Sequence, residues 1–98
     1  MKLLEQSEIQ QLASDLASYW QVDSDKLSCK LQFADFIEAF GFMTAVSLEV
    51  EKLNHHPNWS NVYNNLEIEL STHDAGGLTA LDFKLAGKID RHYKRFAK

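Results

Sequence analysis

The stretch DFIEAFGFMTAVSLEVEKLNHHP, residues 35–57, decides the fold. Asp35, answered by Glu38 three residues on, has the form of a helix start in which a short acceptor side chain caps the first turn. From there Phe36, Ile37, Phe40, Phe42, Met43, Val46, Leu48, Val50 and Leu53 spread apolar surface around most of a helical circumference. Pro57 ends the run, because it lacks a backbone donor and pushes His56 out of the helical region. The spacing therefore predicts one long helix from Asp35 to about His55. A surface helix needs a single apolar stripe, and this one has two sides to cover. A sheet covers one; a second subunit is expected to cover the other, the alternative being a helix central within one chain.

On either side of this helix the pattern changes period. Leu27, Cys29, Leu31 and Phe33 alternate with Ser28, Lys30 and Gln32, as in a strand with one buried face. After Trp59 and a polar turn, Val62, Asn64, Leu66, Ile68 and Leu70 alternate with Tyr63, Asn65, Glu67 and Glu69. Leu4 to Trp20 reads as a helix through Ile9, Leu12, Leu16 and Tyr19, with Ser7 and Gln10 as its capping box, and a turn follows at Asp23-Ser24-Asp25. His73 to Gly77 is a turn by composition. Thr79 caps a last helix that carries Asp82 as its third residue and buries Leu81, Leu85, Ile89 and Phe96. The order is helix, strands, helix, strands, helix, which suggests an α+β sandwich with helices on one face of an antiparallel sheet.

Composition bounds the function classes. The chain of 98 residues suits one domain, and its 45% hydrophobic and 24% charged content argues against disorder. No linker or repeat divides it, so residues 1–98 read as a single unit. The net charge of −4 gives no positive field to draw the protein onto nucleic acid or anionic lipid. Lys84, Lys88, Arg91, Arg95 and Lys98 form a basic stripe on the last helix, read as a solvated face that complements the helix dipole. The single cysteine, Cys29, allows neither an internal disulfide nor a Cys-rich zinc site, and points to a reducing compartment. Glu5 and Glu8 interrupt the N-terminus too early for a secretory signal. The apolar stretch from Phe36 to Val50 is broken by Glu38, Thr44, Ser47 and Glu49, so no membrane span is expected. A soluble, cytoplasmic protein is the expectation.

Three of the four histidines fall at element ends: His55 and His56 at a helix C-terminus, His73 where a strand gives way to a glycine turn. Side chains at such ends can reach one cleft without disturbing the core. A helix C-terminus favours a protonated imidazole, which can give a proton to a leaving group and take it back. Each histidine taken alone also fits a plainer role, as a dipole partner or a turn residue. His92, between Arg91 and Tyr93, reads as a surface or packing residue. Adjacent histidines on a helix point about 100° apart, unlike the i, i+4 pair that grips zinc, so no metal is expected even with Asp74 and Asp82 nearby. Asp82 either reaches back to the helix cap or, held ionised by the helix N-terminus, orients an imidazole; its spacing fits both. Trp59 and Tyr63 could stack on a flat heterocycle or simply pack.

These residues carry a wider pattern. Glu51, then His55-His56-Pro57, Trp59, Tyr63, Thr72-His73-Asp74, Gly76-Gly77-Leu78-Thr79, Asp82, Leu85-Ala86 and Ile89-Asp90 together resemble the signature of the pterin-4a-carbinolamine dehydratases, and Phe33, Asp35 and Phe36 match ahead of it. The resemblance covers nearly the whole chain and is strongest from Glu51 to Asp90. It implies three helices on one face of a four-stranded antiparallel sheet, in the order α-β-β-α-β-β-α, assembled as a homodimer or homotetramer. It implies a hydro-lyase that dehydrates 4a-hydroxytetrahydrobiopterin to quinonoid dihydrobiopterin, regenerating the pterin of aromatic amino-acid hydroxylation without metal or organic cofactor. The implied catalytic set is His55, His56, His73 and Asp82, with His55 and His73 as acid and base. The implied substrate-binding set is Glu51, His56, Trp59, Thr72 and His73. Vertebrate relatives also act as dimerisation cofactors of a transcription factor, so a protein-binding module docking through the long helix stands as the alternative.

Overall fold

The computed structural model describes residues 2–96. Its elements are α1 (Gln6–Ala13), β1 (Gln21–Val22), β2 (Leu27–Gln32), α2 (Phe36–Leu53), β3 (Asn58–Val62), β4 (Asn65–Leu70), a 3-10 turn (His73–Ala75) and α3 (Ala80–Phe96). The sheet is antiparallel throughout, in the order β1-β2-β4-β3. In its central pair, Leu27, Cys29 and Leu31 lie opposite Leu70, Ile68 and Leu66, and all six are buried. Their alternates Ser28, Lys30, Glu69 and Glu67 turn to the other face. The helices cover the apolar face: Ala39, Phe42, Val46 and Val50 from α2, and Phe83, Leu85, Ala86 and Ile89 from α3, share one core with it. This is the α+β sandwich of three helices on a four-stranded sheet.

The long helix follows its local signals closely. Asp35 accepts from the backbone N–H of Glu38 at 2.8 Å, and the Glu38 carboxylate accepts from the N–H of Ala34. At the other end Asn54 adopts a left-handed conformation (φ 51°), and His55 N–H bonds back to the Val50 carbonyl. That turn, three residues before Pro57, is what stops the helix. The second apolar side is real and open: Ile37 is 81% exposed and Leu48 65%, with Phe36 and Phe40 beside them.

Two elements differ from their sequence reading. The first helix ends at Ala13, well short of Trp20, and its cap is Glu5, whose N–H donates to the Glu8 carboxylate at 2.9 Å, in place of Ser7 with Gln10. The cause is distant. Asp90 of α3 accepts from the N–H of Ala17, the Tyr19 hydroxyl and the Trp20 indole, which unwinds the chain into turns and seats Trp20 in the core. The second difference is a chain reversal. Trp59 lies within β3, and the turn falls at Tyr63–Asn64, with Tyr63 left-handed (φ 53°) and Asn61 bonded across it to the carbonyls of Tyr63 and Asn65. A reversal there inverts the alternation, so Val62, read as facing with Leu66, is 74% exposed.

On α3, Phe83 and Ala86 join Leu85 and Ile89 in the core, while Leu81 and Phe96 are half-buried. Of the basic stripe, Lys84, Arg91 and Arg95 are exposed and Lys88 turns to Glu49 at 3.6 Å; Lys98 lies outside the described residues. His92 packs between the helices, bonded to Glu49 at 3.0 Å, and that bond holds the Glu49 carboxyl below its usual range, with Lys88 and Lys52 adding to the effect. Among the described residues no helix is long and apolar enough to cross a membrane.

Asp90→Ala leaves three donors without their acceptor. Because bonds to a charged group contribute about 1.5–3 kcal/mol each in favourable cases, the substitution should lower the unfolding free energy by about 3 kcal/mol, read from urea denaturation.

Candidate active site

The end of α2, the end of β4 and the start of α3 meet at one carboxylate. Asp82 is the third residue of α3 and has no solvent exposure. Its Oδ1 lies 2.6 Å from Nε2 of His55, which the left-handed turn at Asn54 swings inward to 8% exposure. Its Oδ2 accepts from the Thr72 hydroxyl at 2.8 Å and from the Thr79 backbone N–H at 2.9 Å. The two threonine hydroxyls are themselves 2.7 Å apart.

Hydrogen-bond accounting assigns every proton in this set. A carboxylate only accepts. The single Thr72 hydroxyl proton is therefore committed to Asp82, so at the hydroxyl pair Thr79 must be the donor. The Thr79 oxygen accepts from the N–H of Leu81 at 3.3 Å. Three donors converge on Asp82 at the start of α3, the positive end of the helix. Facing a carboxylate, which only accepts, His55 donates from Nε2, and Nδ1 takes no part in these bonds. Asp82 makes both contacts its spacing allows: one oxygen takes the N–H of Thr79 at the helix start and the other takes the His55 imidazole.

The remaining candidates lie outside these bonds. His56 turns outward from the same helix end and bonds Glu51 at 3.2 Å, both side chains exposed. His73 directly follows Thr72 and opens the 3-10 turn, which closes through the Thr72–Gly77 bridge and a left-handed Gly76 (φ 79°). Its exposed imidazole bonds to no other side chain among the described residues. Trp59, half-buried, pairs with Ile68 in the sheet. Tyr63 sits at the hairpin turn, 61% exposed, away from these bonds. A hollow of about 560 Å³ lies elsewhere, lined by polar strand residues including Ser28, Lys30, Glu67 and Glu69; Trp59 is the one candidate residue that reaches it. The hydrogen-bonded carboxylate is the stronger candidate than that hollow, because among the described residues it is where an imidazole is held by a fully buried acceptor.

Thr79 is the residue sequence reasoning read too narrowly, as a cap alone; its hydroxyl also feeds the Asp82 set through Thr72. The Thr-x-x-Asp spacing gave the cap, while the link to Thr72 depends on the bridge between Thr72 and Gly77. Cys29 is unsuited to nucleophilic work, since burial first and the charge of Asp90 second push its thiol up to about 12. No group of three His, Cys, Asp or Glu side chains converges as a metal site among the described residues.

A family model described as pterin 4 alpha carbinolamine dehydratase matches residues 2–92. A Solibacter usitatus protein assigned by name to the pterin-4-alpha-carbinolamine dehydratases is 56% identical over 87 residues, covering 89% of this chain and 90% of its own. A Synechococcus (strain WH7803) protein assigned the same name is 56% identical over 88 residues, covering 90% and 94%. The crystal structure of a transcriptional coactivator/pterin dehydratase from Brucella melitensis superposes with a TM-score of 0.86 at 40% identity, covering 93% of this chain and 98% of that one. A pterin dehydratase-like protein identified as a RuBisCO assembly factor in the alpha-carboxysome shares the fold, with a TM-score of 0.62 at 19% identity over 74% and 84%.

Asp82→Asn tests the proton assignment directly. An amide oriented to accept from Thr72 and Thr79 must offer its NH2 to His55, so Nε2 becomes an acceptor and the proton moves to Nδ1. Nitrogen-15 spectra of the imidazole should show this exchange of tautomers in a folded protein.

Proposed function

The chain belongs to the pterin 4 alpha carbinolamine dehydratase family, and on that footing we propose that it dehydrates 4a-hydroxytetrahydrobiopterin to quinonoid dihydrobiopterin and water. The observation that carries the reading is the buried His55–Asp82 pair at 2.6 Å, set between the outward-facing His56 and the turn that bears His73. In this reading the C4a–O bond breaks with its electron pair going to oxygen, and an imidazolium supplies the proton that lets hydroxide leave as water. A ring N–H gives its proton to the second imidazole, and the nitrogen electron pair closes the new C=N bond. Hydroxide is a poor leaving group, and a positioned acid is worth roughly 10²- to 10⁴-fold.

The roles follow from what each side chain has free. His55, held by Asp82 through Nε2, exchanges its proton at Nδ1. His73, exposed and without a side-chain partner among the described residues, serves as the second acid/base group. His56, held by Glu51, binds and orients the pterin ring, Trp59 walls it, and Thr72 bounds the site on the Asp82 side. The chemistry asks for no metal or organic cofactor. The reading sets the protein in the cytoplasm, where Cys29 stays a buried thiol and the product returns to a tetrahydropterin pool used in aromatic amino-acid hydroxylation.

A second reading has its own observation. Phe36, Ile37, Phe40 and Leu48 leave one side of α2 apolar and open, and the Brucella melitensis structure belongs to a protein called coactivator as well as dehydratase. We propose that this side holds a second copy of the chain, in a homodimer or homotetramer, and that it could hold a partner helix in the same way.

Purified protein should speed the decay of chemically generated 4a-hydroxytetrahydrobiopterin at neutral pH. His55→Ala and His73→Ala should each slow it about tenfold or more, and undiminished activity in the double substitution would end the catalytic assignment. Light scattering should give a mass of two or four chains, reduced by Ile37→Glu; a parent mass of one chain contradicts the assembly.

A further inference from the structure

We infer that Thr79 is a positioning residue for His55, acting through Thr72 and Asp82, an assignment that rests on the dehydratase reading. The hydroxyl chain runs one way only. Leu81 N–H donates to the Thr79 oxygen, Thr79 to Thr72, Thr72 to Asp82 Oδ2, and His55 Nε2 donates to Asp82 Oδ1. Thr72, Thr79 and Asp82 are all buried, Thr79 and Asp82 completely. Thr79 holds the carboxylate twice, once by its own backbone N–H and once by its hydroxyl through Thr72.

The second arm matters for direction. Without a donor from Thr79, the buried Thr72 oxygen is left unpaired and loses the cooperative strengthening that accepting a bond gives to its own donation, so its bond to Asp82 weakens. The carboxylate then turns on the remaining N–H bond, and the Nε2–Oδ1 contact that selects one His55 tautomer loosens. Nδ1 is the atom assigned to proton exchange, so a mixed tautomer population lowers the competent fraction without altering the surfaces that bind the pterin.

The test compares Thr79→Val, which keeps the backbone arm and deletes the hydroxyl, with Thr79→Ser, which restores it. In the full chain, Thr79→Val should lower kcat about tenfold with KM held within about twofold, while nitrogen-15 spectra show His55 passing from one tautomer to a mixture. Thr79→Ser should recover both readouts. An unchanged kcat with a single tautomer overturns the proposal, as does a loss confined to KM. Should Thr79→Val fail to fold, Thr72→Val with Thr72→Ser as its rescue breaks the same chain one link on and leaves the helix cap intact; the same two readouts decide. If the parent protein does not dehydrate the pterin, the dehydratase reading falls. The tautomer spectra then judge the hydrogen-bond chain by itself, a single tautomer surviving in Thr79→Val being the result that overturns it.

Discussion

A carboxylate with no access to water survives in a folded protein only when donors replace its hydration shell, and Asp82 takes those donors from three separate segments. His55 lies just beyond α2, Thr72 just beyond β4, and Thr79 at the start of α3. Thr79 reaches Asp82 locally, but His55 and Thr72 reach it only because the long helix stops where it does, the strand ends where it does, and the glycine turn brings the chain back. The same bonds therefore close the fold and build the site. Removing one partner does more than delete a contact, because it strands a buried charge.

The readable parts of this arrangement are those governed by a few neighbouring residues. Asp35 and Glu38 start α2 and Pro57 bounds its end, so its placement, and with it the placement of His55 and His56, was legible in the sequence, although the left-handed cap at Asn54 was not. The end of α1 was not, because it is set by Asp90, a residue 73 positions from Ala17 in the chain. The phase of β3 was hidden for a different reason. Tyr63 carries no turn signature by type, yet it takes the left-handed conformation that reverses the chain and inverts the alternation. Asp82 presented two compatible readings, and spacing could not choose between them because a carboxylate has two oxygens and uses one for each.

The two-sided helix shows how far a pattern reaches. Ala39, Phe42, Val46 and Val50 define the side turned to the sheet, and the uncovered residues Ile37, Phe40 and Leu48 define another. Periodicity establishes that both sides exist. It says nothing of what covers the second, since an apolar stripe selects a partner by shape and area, and those belong to the partner as much as to the helix.

Two aspartates eight residues apart on α3 separate fastening from chemistry. Asp90 takes its donors from a backbone amide, a phenol and an indole. None of these gives up a proton near neutral pH: burial, then the bond to Asp90, pushes the Tyr19 hydroxyl well above its ordinary range. Asp82 takes two donors of the same inert kind, a hydroxyl and an amide, and then an imidazole. That single exchange of donor type converts a structural clamp into a device for holding a proton carrier in one orientation. Each aspartate takes three donors, so their number does not distinguish the two, although Asp82 is fully buried where Asp90 is half-buried. The proposed site rests on that difference: of the donors at the two aspartates, the imidazole is the one with a second ring nitrogen outside these bonds.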